Sequence, residues 1–343
     1  MSRTIVYLSC AQTCEIQRFE LNRDTGAMHR LGSTPVTGLQ GPSNTSMPLA
    51  LSPDRRVLLA ALRGAPNPCV AFAIGAPDGA LQAIGSAPLP HEACYLTLDR
   101  TGRHLLMASY PGALLASLAL DARGAVIAPP RQIVPTGPAA HCVIVDARNR
   151  FAYATSLGAD VVMRFAFDAA SGQLTDRQST ALPAGAGPRH LQLSADGRFL
   201  YVLCELDGSV GAFAVDADTG ALQGRQILRT HAAGFSQAQA ADLQLSPDGR
   251  FLYASERRSH TLMAWRVAPQ DGSLTPAGTW PTEAGPRGFA IDPGGRFLLA
   301  AGQQSQHMGV YRIDAHSGAL TAIGRHATAG NPNWIEMLEW PDA

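Results

Sequence analysis

One phrase recurs along this chain at a nearly constant interval, and it constrains the fold more than any other feature. Each copy is an apolar strand, a tight turn ending in arginine and a second apolar strand, as in LQLSADGRFLYVLC and LQLSPDGRFLYASE. The turn arginines are spaced by 47, 47, 48, 52 and 46 residues, at Arg56, Arg103, Arg150, Arg198, Arg250 and Arg296. Turns with Asp-Gly between apolar runs are typical of β-hairpins, because glycine accepts a positive φ at low cost. A fixed period of this length indicates a repeat architecture.

A second phrase falls between these copies and fixes their number. It is an alternating strand followed by Gly-x-apolar, and its seven glycines are Gly26, Gly79, Gly124, Gly172, Gly220, Gly272 and Gly318. Each unit is therefore predicted to contain four antiparallel strands, and seven such sheets arranged radially leave only short edges exposed. We predict an all-β, seven-bladed β-propeller that forms a single domain over residues 1–343.

The two phrases differ in number, because the first has six complete copies and the second has seven. The missing inner strand must come from the far end of the chain, and the apolar segment Trp334–Leu338 is the candidate. It would pair beside the N-terminal strand Thr4–Ser9 and close the ring, which removes an open edge that invites aggregation.

Composition excludes several classes of partner. All 27 basic residues are arginines, they are balanced by 27 acidic residues, and they form no basic run. Binding to nucleic acid or to an anionic membrane surface is therefore not expected. No apolar run reaches the length that crosses a bilayer, and the start of the chain lacks a signal-peptide pattern. The six cysteines show no metal-binding or paired spacing, and we expect a cytoplasmic protein.

The hairpin topology predicts where a site would lie. The start of the innermost strand and the end of the next strand lie on one face of each blade, so the residues there converge on one mouth of the central channel. Convergent polar groups of this kind indicate a binding site. The residues before the inner strands are His91, Cys94, His141, Arg189, His190, Asp242 and Arg287. Those after the second strands are Tyr110, Ser156, Glu205, Arg257 and Gln303. Arginines with histidines and carboxylates suit an anionic substrate and proton transfer.

Each of these residues also has a purely structural explanation. Arg189 and Glu205 could form a structural ion pair, since an unpaired buried charge is costly. His141 precedes an apolar strand and could be a hydrogen-bonded core residue. Arg287 lies in a second Gly-Pro-Arg, which could be a motif that begins a blade. Arg258 is expected to point to solvent.

The quoted repeats resemble the lactonase family of seven-bladed β-propellers, of the bacterial 6-phosphogluconolactonase type. The resemblance is clearest in GPRHLQLSADGRFLYVLCELDGSVGAFAVDADTGAL, ADLQLSPDGRFLYASERRSHTL and GPRGFAIDPGGRFLLAAGQQS. It implies a hydrolase that opens a sugar-acid 1,5-lactone. The related fungal carboxy-cis,cis-muconate lactonizing enzyme implies a catalytic set that falls on His141, Arg189, Glu205 and Arg257. His190, Asp242, Arg287, Tyr110 and His91 are predicted to bind substrate.

The chain departs from the family pattern near this set. It has Ser255-Glu256-Arg257 where the family usually has Ser-Asn-Arg, and Ala241-Asp242 where Ala-Glu is common. Ser156 also replaces the first aspartate of an Asp-Leu-Gly-Ala-Asp segment. These changes alter the surroundings of the four residues and leave open whether the lactone is phosphorylated or dicarboxylic.

The predicted mechanism uses Glu205 or His141 as a general base toward water, while Arg189 and Arg257 bind the anion and stabilise the oxyanion. The chain has no G-x-S-x-G elbow, so a covalent acyl-enzyme is not expected. Other propeller lactonases hold calcium with clustered carboxylates, whereas this mouth is rich in arginine. We therefore predict no cofactor and no metal, and activity that survives chelation. A muconate-type lactonizing enzyme and a non-catalytic scaffold are the alternatives, and the protein is expected to be a monomer or a weak homo-oligomer.

Overall fold

Alternating apolar segments joined by tight turns build every blade of this protein. The computed structural model describes residues 3–40, 45–229 and 237–340, and it contains 28 strands in seven four-stranded antiparallel sheets. The predicted fold is therefore confirmed as an all-β, seven-bladed propeller. The described residues contain one helical element, a 3-10 turn at Leu157–Ala159. Within the same residues there is no helix long and apolar enough to span a membrane.

The strands follow one another from the channel outward in each blade. Blade 1 contains β1 (Arg3–Cys10), β2 (Glu15–Leu21) and β3 (Met28–Pro35), and blade 2 contains β4 (Leu49–Leu51), β5 (Val57–Ala61), β6 (Pro68–Gly75) and β7 (Ala80–Pro88). Blade 3 contains β8 (Tyr95–Leu98), β9 (His104–Ser109), β10 (Leu114–Leu120) and β11 (Val126–Pro135), and blade 4 contains β12 (Ala140–Val145), β13 (Phe151–Ser156), β14 (Val161–Asp168) and β15 (Gln173–Ala181). Blade 5 contains β16 (Pro188–Leu193), β17 (Phe199–Cys204), β18 (Ser209–Val215) and β19 (Leu222–Arg229). Blade 6 contains β20 (Ala240–Leu245), β21 (Phe251–Glu256), β22 (Thr261–Val267) and β23 (Leu274–Pro281), and blade 7 contains β24 (Pro286–Ile291), β25 (Phe297–Gly302), β26 (His307–Ile313) and β27 (Leu320–Ala327).

The last strand, β28 (Pro332–Trp340), closes the ring as the sequence predicted. It is the innermost strand of blade 1 and pairs antiparallel with β1, with Ser9 opposite Trp334 and Ile5 opposite Leu338. The strand extends beyond the predicted segment at both ends. Because the two ends of the chain share one sheet, closure of the ring uses backbone hydrogen bonds within a blade.

The recurring glycines are explained by contacts between neighbouring blades. Gly220 has a φ of 69°, and a Cβ there would lie 2.7 Å from the Phe151 ring of the preceding blade. Gly272 has a φ of 73°, and its Cβ would lie 2.5 Å from the Phe199 ring. Both the left-handed backbone and the packed aromatic ring exclude a side chain. The repeat therefore encodes the packing of one blade on the next.

The turn arginines also join neighbouring blades. The guanidinium of Arg150 donates to the Ala217 carbonyl at 2.6 Å, and that of Arg198 donates to the Pro269 carbonyl at 2.9 Å. Arg250 donates to the Ala315 carbonyl at 2.8 Å. These bonds lie on the face opposite the predicted mouth. Their repetition serves the architecture, which leaves the other face for residues that differ from blade to blade.

Candidate active site

The first residues of several inner strands lie in β-bulges. The pairing register shifts between Ala140 and Val143 in blade 4, between Pro188 and His190 in blade 5, and between Pro286 and Gly288 in blade 7. The bulged segments contain His141, Arg189 and Arg287, respectively. A bulge takes a residue out of the ladder and re-aims its side chain, and bulges are common next to active sites. Three predicted site residues therefore occupy one structural position in three different blades.

A carboxylate between two guanidiniums forms the centre of the mouth. Glu205 follows β17, and its Oε2 lies 2.8 Å from Nε of Arg189 at the start of the same blade. Its Oε1 lies 2.7 Å from NH2 of Arg257, which follows β21 in the next blade. Nε of Arg257 also donates to the Gln239 carbonyl at 3.1 Å. The structure thus brings three of the four predicted catalytic residues into one ion-pair network.

This network fixes the charge of Glu205. Burial by itself would raise the pKa of the carboxyl, but the positive charges of Arg189 and Arg257 outweigh it and hold that pKa below its usual value. Glu205 is therefore a carboxylate at neutral pH. Arg189 is 2 % exposed, so the structural ion pair with Glu205 is present, and a catalytic role for Arg189 remains a prediction.

His141 lies beside this network as a neutral imidazole. It is 4 % exposed, and its ring centroid lies 5.2 Å from that of His190 and 6.1 Å from that of Tyr110. Burial, followed by the charge of Arg189, lowers the pKa of His141 well below its usual value. Its Nδ1 is buried and has no hydrogen-bond partner among the described residues. The imidazole is therefore neutral, and its Nδ1 is not committed to a protein group that the structure describes.

His190 and Asp242 form a second pair directly behind Arg189. Nδ1 of His190 lies 2.8 Å from Oδ1 of Asp242, and Nε2 lies 3.0 Å from NH1 of Arg189. Burial, reinforced by the Arg189 charge, lowers the pKa of His190 to about 4. The pair is thus a carboxylate with a neutral imidazole, and both are engaged with protein groups.

Comparison with known proteins gives the family of this architecture and site. A family model described as "Lactonase, 7-bladed beta-propeller" matches residues 5–337. The chain belongs to this family. It is 35% identical over 293 residues to the 6-phosphogluconolactonase of Serratia proteamaculans, covering 84% of this chain and 85% of the relative. It is 34% identical over 289 residues to that of Pectobacterium carotovorum, covering 84% of each.

Solved structures agree with this assignment. The periplasmic gluconolactonase of Pseudomonas aeruginosa superposes with a TM-score of 0.86 at 28% identity, over 98% of this chain and 100% of that one. A Bacteroides fragilis protein superposes with a TM-score of 0.88 at 25% identity, over 98% of both chains. The fold of this lactonase-family member is thus shared along nearly its whole length.

Arg287 differs from the other arginines of the mouth. It is half-buried, and no ion pair or hydrogen bond engages its side chain within residues 3–40, 45–229 and 237–340. Burial, with the charges of Arg189 and Arg257, lowers the pKa of Arg287. A guanidinium keeps its proton in a protein, so Arg287 remains a cation among other cations. Arg287 is therefore suited to bind an anion from outside the protein.

Arg63 was missed by the sequence analysis although the repeat pointed to it. It follows β5 just as Glu205 follows β17 and Arg257 follows β21. Its NH2 lies 3.3 Å from Oε2 of Glu92, and its charge is among those that lower the pKa of Arg287. Arg63 thus extends the cationic side of the mouth.

Three of the remaining predicted residues form hydrogen bonds with nearby backbone or loop groups, and Tyr110 is exposed. Nδ1 of His91 accepts the Glu92 amide at 2.9 Å, and Tyr110 is 44 % exposed. Ser156 donates to the Pro138 carbonyl at 2.8 Å, and Gln303 donates to Asn331 at 2.5 Å. These contacts give His91, Ser156 and Gln303 local structural roles, whereas the Tyr110 ring lies beside that of His141. Binding of substrate by His91 and Tyr110 remains a prediction.

Glu256, the departure from the family pattern, points away from its neighbour Arg257. It is 3 % exposed and accepts the amide of Gln239 at 2.6 Å and that of Ser259 at 2.5 Å. Because the Gln239 carbonyl accepts Nε of Arg257, Glu256 braces the loop that holds Arg257. It adds no free carboxylate to the mouth.

The side chains at the mouth are poorly suited to bind a metal ion. Across the described ranges, no three His, Cys, Asp or Glu side chains are grouped so that they could hold a metal ion. The carboxylate nearest the arginines, Glu205, is occupied by two guanidiniums. Activity without a metal stays a prediction.

Proposed function

We propose that this protein hydrolyses a sugar-acid 1,5-lactone bearing a second anionic group to the open-chain acid. The observation that carries the proposal is the composition of the mouth. The Glu205 carboxylate holds two guanidiniums in place, a neutral and unpartnered His141 lies beside them, and Arg287 offers a guanidinium without a counter-charge. Relatives named 6-phosphogluconolactonase support the reaction class.

Charge supports an anionic substrate. The pKa of Arg287 is lowered by burial and then by Arg189, Arg257 and Arg63, so these four guanidiniums act on one region. Glu205 neutralises part of this charge and Glu92 pairs with Arg63. A phosphate or a second carboxylate would supply the missing negative charge and could bind a guanidinium bidentately.

Hydrolysis then needs one proton acceptor and one oxyanion partner. His141 takes a proton from water as the water oxygen forms a bond to the lactone carbonyl carbon. The carbonyl oxygen becomes an oxyanion, stabilised by Arg189 and Arg257. When the intermediate collapses, the bond between the carbonyl carbon and the ring oxygen breaks, and the proton passes from His141 to that oxygen. The products are a hydroxyl group and a carboxylic acid, which ionises.

The contacts of the two side chains favour His141 over Glu205 as the base. Each oxygen of Glu205 is held by a guanidinium, and its pKa lies below the usual value because these charges outweigh the effect of burial. A carboxylate in this state is a poor proton acceptor. His141 also has a lowered pKa, through burial and then Arg189, but no hydrogen bond within the described residues engages its imidazole. Glu205 then serves to hold Arg189 and Arg257.

The phosphorylated and dicarboxylic substrates share the chemistry described above. The names of the curated relatives favour 6-phosphoglucono-1,5-lactone, whereas the Pseudomonas aeruginosa relative is named a gluconolactonase. Glucaro- or galactaro-1,5-lactone would present a carboxylate at the same end of the sugar. The substitutions around Arg257 keep the dicarboxylic lactones among the candidates.

A pH-indicator assay on purified protein tests the proposal. The substrates are 6-phosphoglucono-1,5-lactone, enzymatically generated glucaro- or galactaro-1,5-lactone, and uncharged glucono-1,5-lactone. We expect acid release well above the spontaneous rate with one of the anionic lactones, and much slower turnover of the uncharged one. Background rates with all three would overturn the proposal and favour a scaffold or a muconate-type enzyme.

We also propose that the protein acts in the cytoplasm. All six cysteines are free thiols, and five of them are buried, which is compatible with a reducing compartment. Fractionation of the source cells with an antibody to this chain tests the location. Recovery in a periplasmic or secreted fraction would overturn it.

A further inference from the structure

A line of polar contacts runs from the wall of the channel to Arg189. Asp242 lies on β20, His190 on β16, and Arg189 directly precedes His190 in the bulge that begins β16. Asp242 Oδ1 contacts His190 Nδ1 at 2.8 Å, and His190 Nε2 contacts Arg189 NH1 at 3.0 Å. Each contact in the line is within hydrogen-bond distance.

The charge state of His190 determines which of its nitrogens donates a hydrogen bond and which accepts one. Burial and the Arg189 charge lower the pKa of His190 to about 4, so the ring is neutral at neutral pH. A neutral imidazole has one N–H and one acceptor nitrogen. The Asp242 carboxylate only accepts, so Nδ1 carries the proton and donates it. Nε2 is then the acceptor for an N–H of Arg189.

Asp242 is itself held rigidly. Its Oδ1 accepts the Leu243 amide at 2.9 Å, and its Oδ2 accepts the Phe289 amide of blade 7 at 3.0 Å. The Asp242 amide donates to Ser255 Oγ at 3.1 Å. The carboxylate is therefore fixed by two blades and has little freedom to turn toward a substrate.

Arg189 has five N–H donors on three nitrogens, and protein groups contact two of these nitrogens. Nε faces Glu205 at 2.8 Å, and NH1 donates to His190 and to the Ala241 carbonyl. Its NH2 group has no partner among the described residues. One edge of the guanidinium is therefore left for a reacting group, and the contacts of Nε and NH1 fix the plane of the guanidinium.

We propose that Asp242 and His190 are positioning residues that fix the plane and direction of Arg189, and that neither contacts the substrate. The inference rests on the proposed lactonase function and deepens it. It departs from the sequence-based prediction, which gave both residues a substrate-binding role. A group held this way needs no reorganisation when charge develops in the transition state.

Two substitutions of His190 separate positioning from binding. His190→Leu removes the acceptor for Arg189, whereas His190→Gln places an oxygen near the position of Nε2. We expect His190→Leu to lower kcat about 100-fold, the size of effect that a misplaced group produces, with KM within threefold. His190→Gln should regain most of the lost kcat. A rise in KM of similar size in both variants, with kcat unchanged, would show that His190 binds substrate.

A double substitution tests whether His190 acts through Arg189. Arg189→Met and Arg189→Met with His190→Leu should have equal kcat, because the second change has no guanidinium left to misplace. A further drop in the double variant would overturn the proposal. His316→Leu, at an exposed histidine of the blade 7 turn, is the matched control and should turn over like the wild type. Unfolding midpoints of all variants identify any that fail to fold.

The imidazole of His190 can be observed without any turnover. In protein labelled with ¹⁵N-histidine, the His190 signal is identified among the 10 histidines by its loss in His190→Gln. We expect a neutral ring protonated on Nδ1 at pH 7. A ring protonated on Nε2, or a charged ring, would overturn the proposal even in a protein that is inactive on every lactone. If the wild type is inactive but the ring is protonated on Nδ1, the proposed function fails while the inferred geometry stands.

Discussion

Nε of Arg189 lies 2.8 Å from Oε2 of Glu205, and this contact joins the beginning and the end of the inner hairpin of blade 5. Arg257 approaches the other carboxylate oxygen from blade 6 at 2.7 Å. The carboxylate therefore connects two blades at the mouth of the channel. It also keeps two guanidiniums close together although their charges repel each other.

Glu205→Gln should both destabilise the protein and reduce activity. The change leaves Arg189 buried without its counter-charge, and breaking a buried ion pair on one side costs about 3 kcal/mol. We expect a loss of this order in the free energy of unfolding, measured by urea denaturation, and a fall in kcat/KM of about 100-fold or more. Glu20→Gln, which breaks a half-exposed pair with Arg3, should cost less than about 1 kcal/mol. Equal losses in the two variants would contradict the role given to Glu205.

His141→Gln should lower kcat by a factor of about 10² to 10⁴, the contribution typical of a positioned base. The pH profile provides a second measurement. Burial and the charge of Arg189 lower the pKa of His141, and the base is active when unprotonated. Activity should therefore stay constant as the pH falls through 6.5 and decline only well below it. An acidic limb centred near 6.5, or a variant with wild-type kcat, would remove His141 from this role.

Arg287→Gln should weaken binding of anionic substrates selectively. Loss of a hydrogen bond to a charged group costs about 1.5–3 kcal/mol, which corresponds to a rise in KM of roughly 10- to 100-fold. The rate with uncharged glucono-1,5-lactone should change little. Arg225→Gln, at an exposed arginine of strand β19, is the control and should leave both rates unchanged. Equal effects of Arg287→Gln on charged and uncharged lactones would show that Arg287 does not recognise the anion.

Glu336 should make stability depend on pH near neutrality. It lies on β28 and accepts Nε1 of Trp334 at 2.9 Å, and burial raises its pKa from 4.5 to about 7. The folded state thus holds the proton more tightly than the unfolded chain, so stability falls as the pH rises from 4.5 to 7 and stays lower above that range. The free energy of unfolding of Glu336→Gln, taken relative to that of the wild type, should therefore rise by about 2 kcal/mol from pH 5 to pH 8, after allowance for the partial exposure of Glu336.

Reversible urea denaturation at several pH values measures this difference. The free energy of unfolding of Glu20→Gln, taken relative to that of the wild type, should show no comparable rise between pH 5 and pH 8. A difference between Glu336→Gln and the wild type that does not change with pH would mean that Glu336 is ionised throughout.

Chelation should not affect turnover. The carboxylate at the centre of the mouth is occupied by arginines, and the described part of the chain offers no cluster of three metal ligands. Initial rates measured before and after dialysis against EDTA should be equal, and added Ca²⁺ should not raise them. A rate that is lost with EDTA and restored by Ca²⁺ would show that a metal takes part.

The sequence by itself determined the architecture and the location of the mouth. The seven recurring glycines gave the number of blades, and the turn arginines marked the hairpins. The second phrase has one more copy than the first, which predicted that β28 closes the ring beside β1. The antiparallel pairing of Ser9 with Trp334 confirms this. These features depend on local rules, since turn chemistry and the two-residue period of a strand are encoded in neighbouring residues.

Only the tertiary structure decided which side chains meet and in what charge state. Glu205 could have paired with one arginine, with two or with none, and Glu256 could have faced the mouth beside Arg257. The outcome depends on the bulges that re-aim Arg189 and Arg287, and on the distance between blades that are remote in sequence. Neutral His141 and His190 likewise result from burial among arginines of several blades. Repeats specify backbone positions, whereas pairing and ionisation depend on distances of a few ångströms that exist only once the ring has closed.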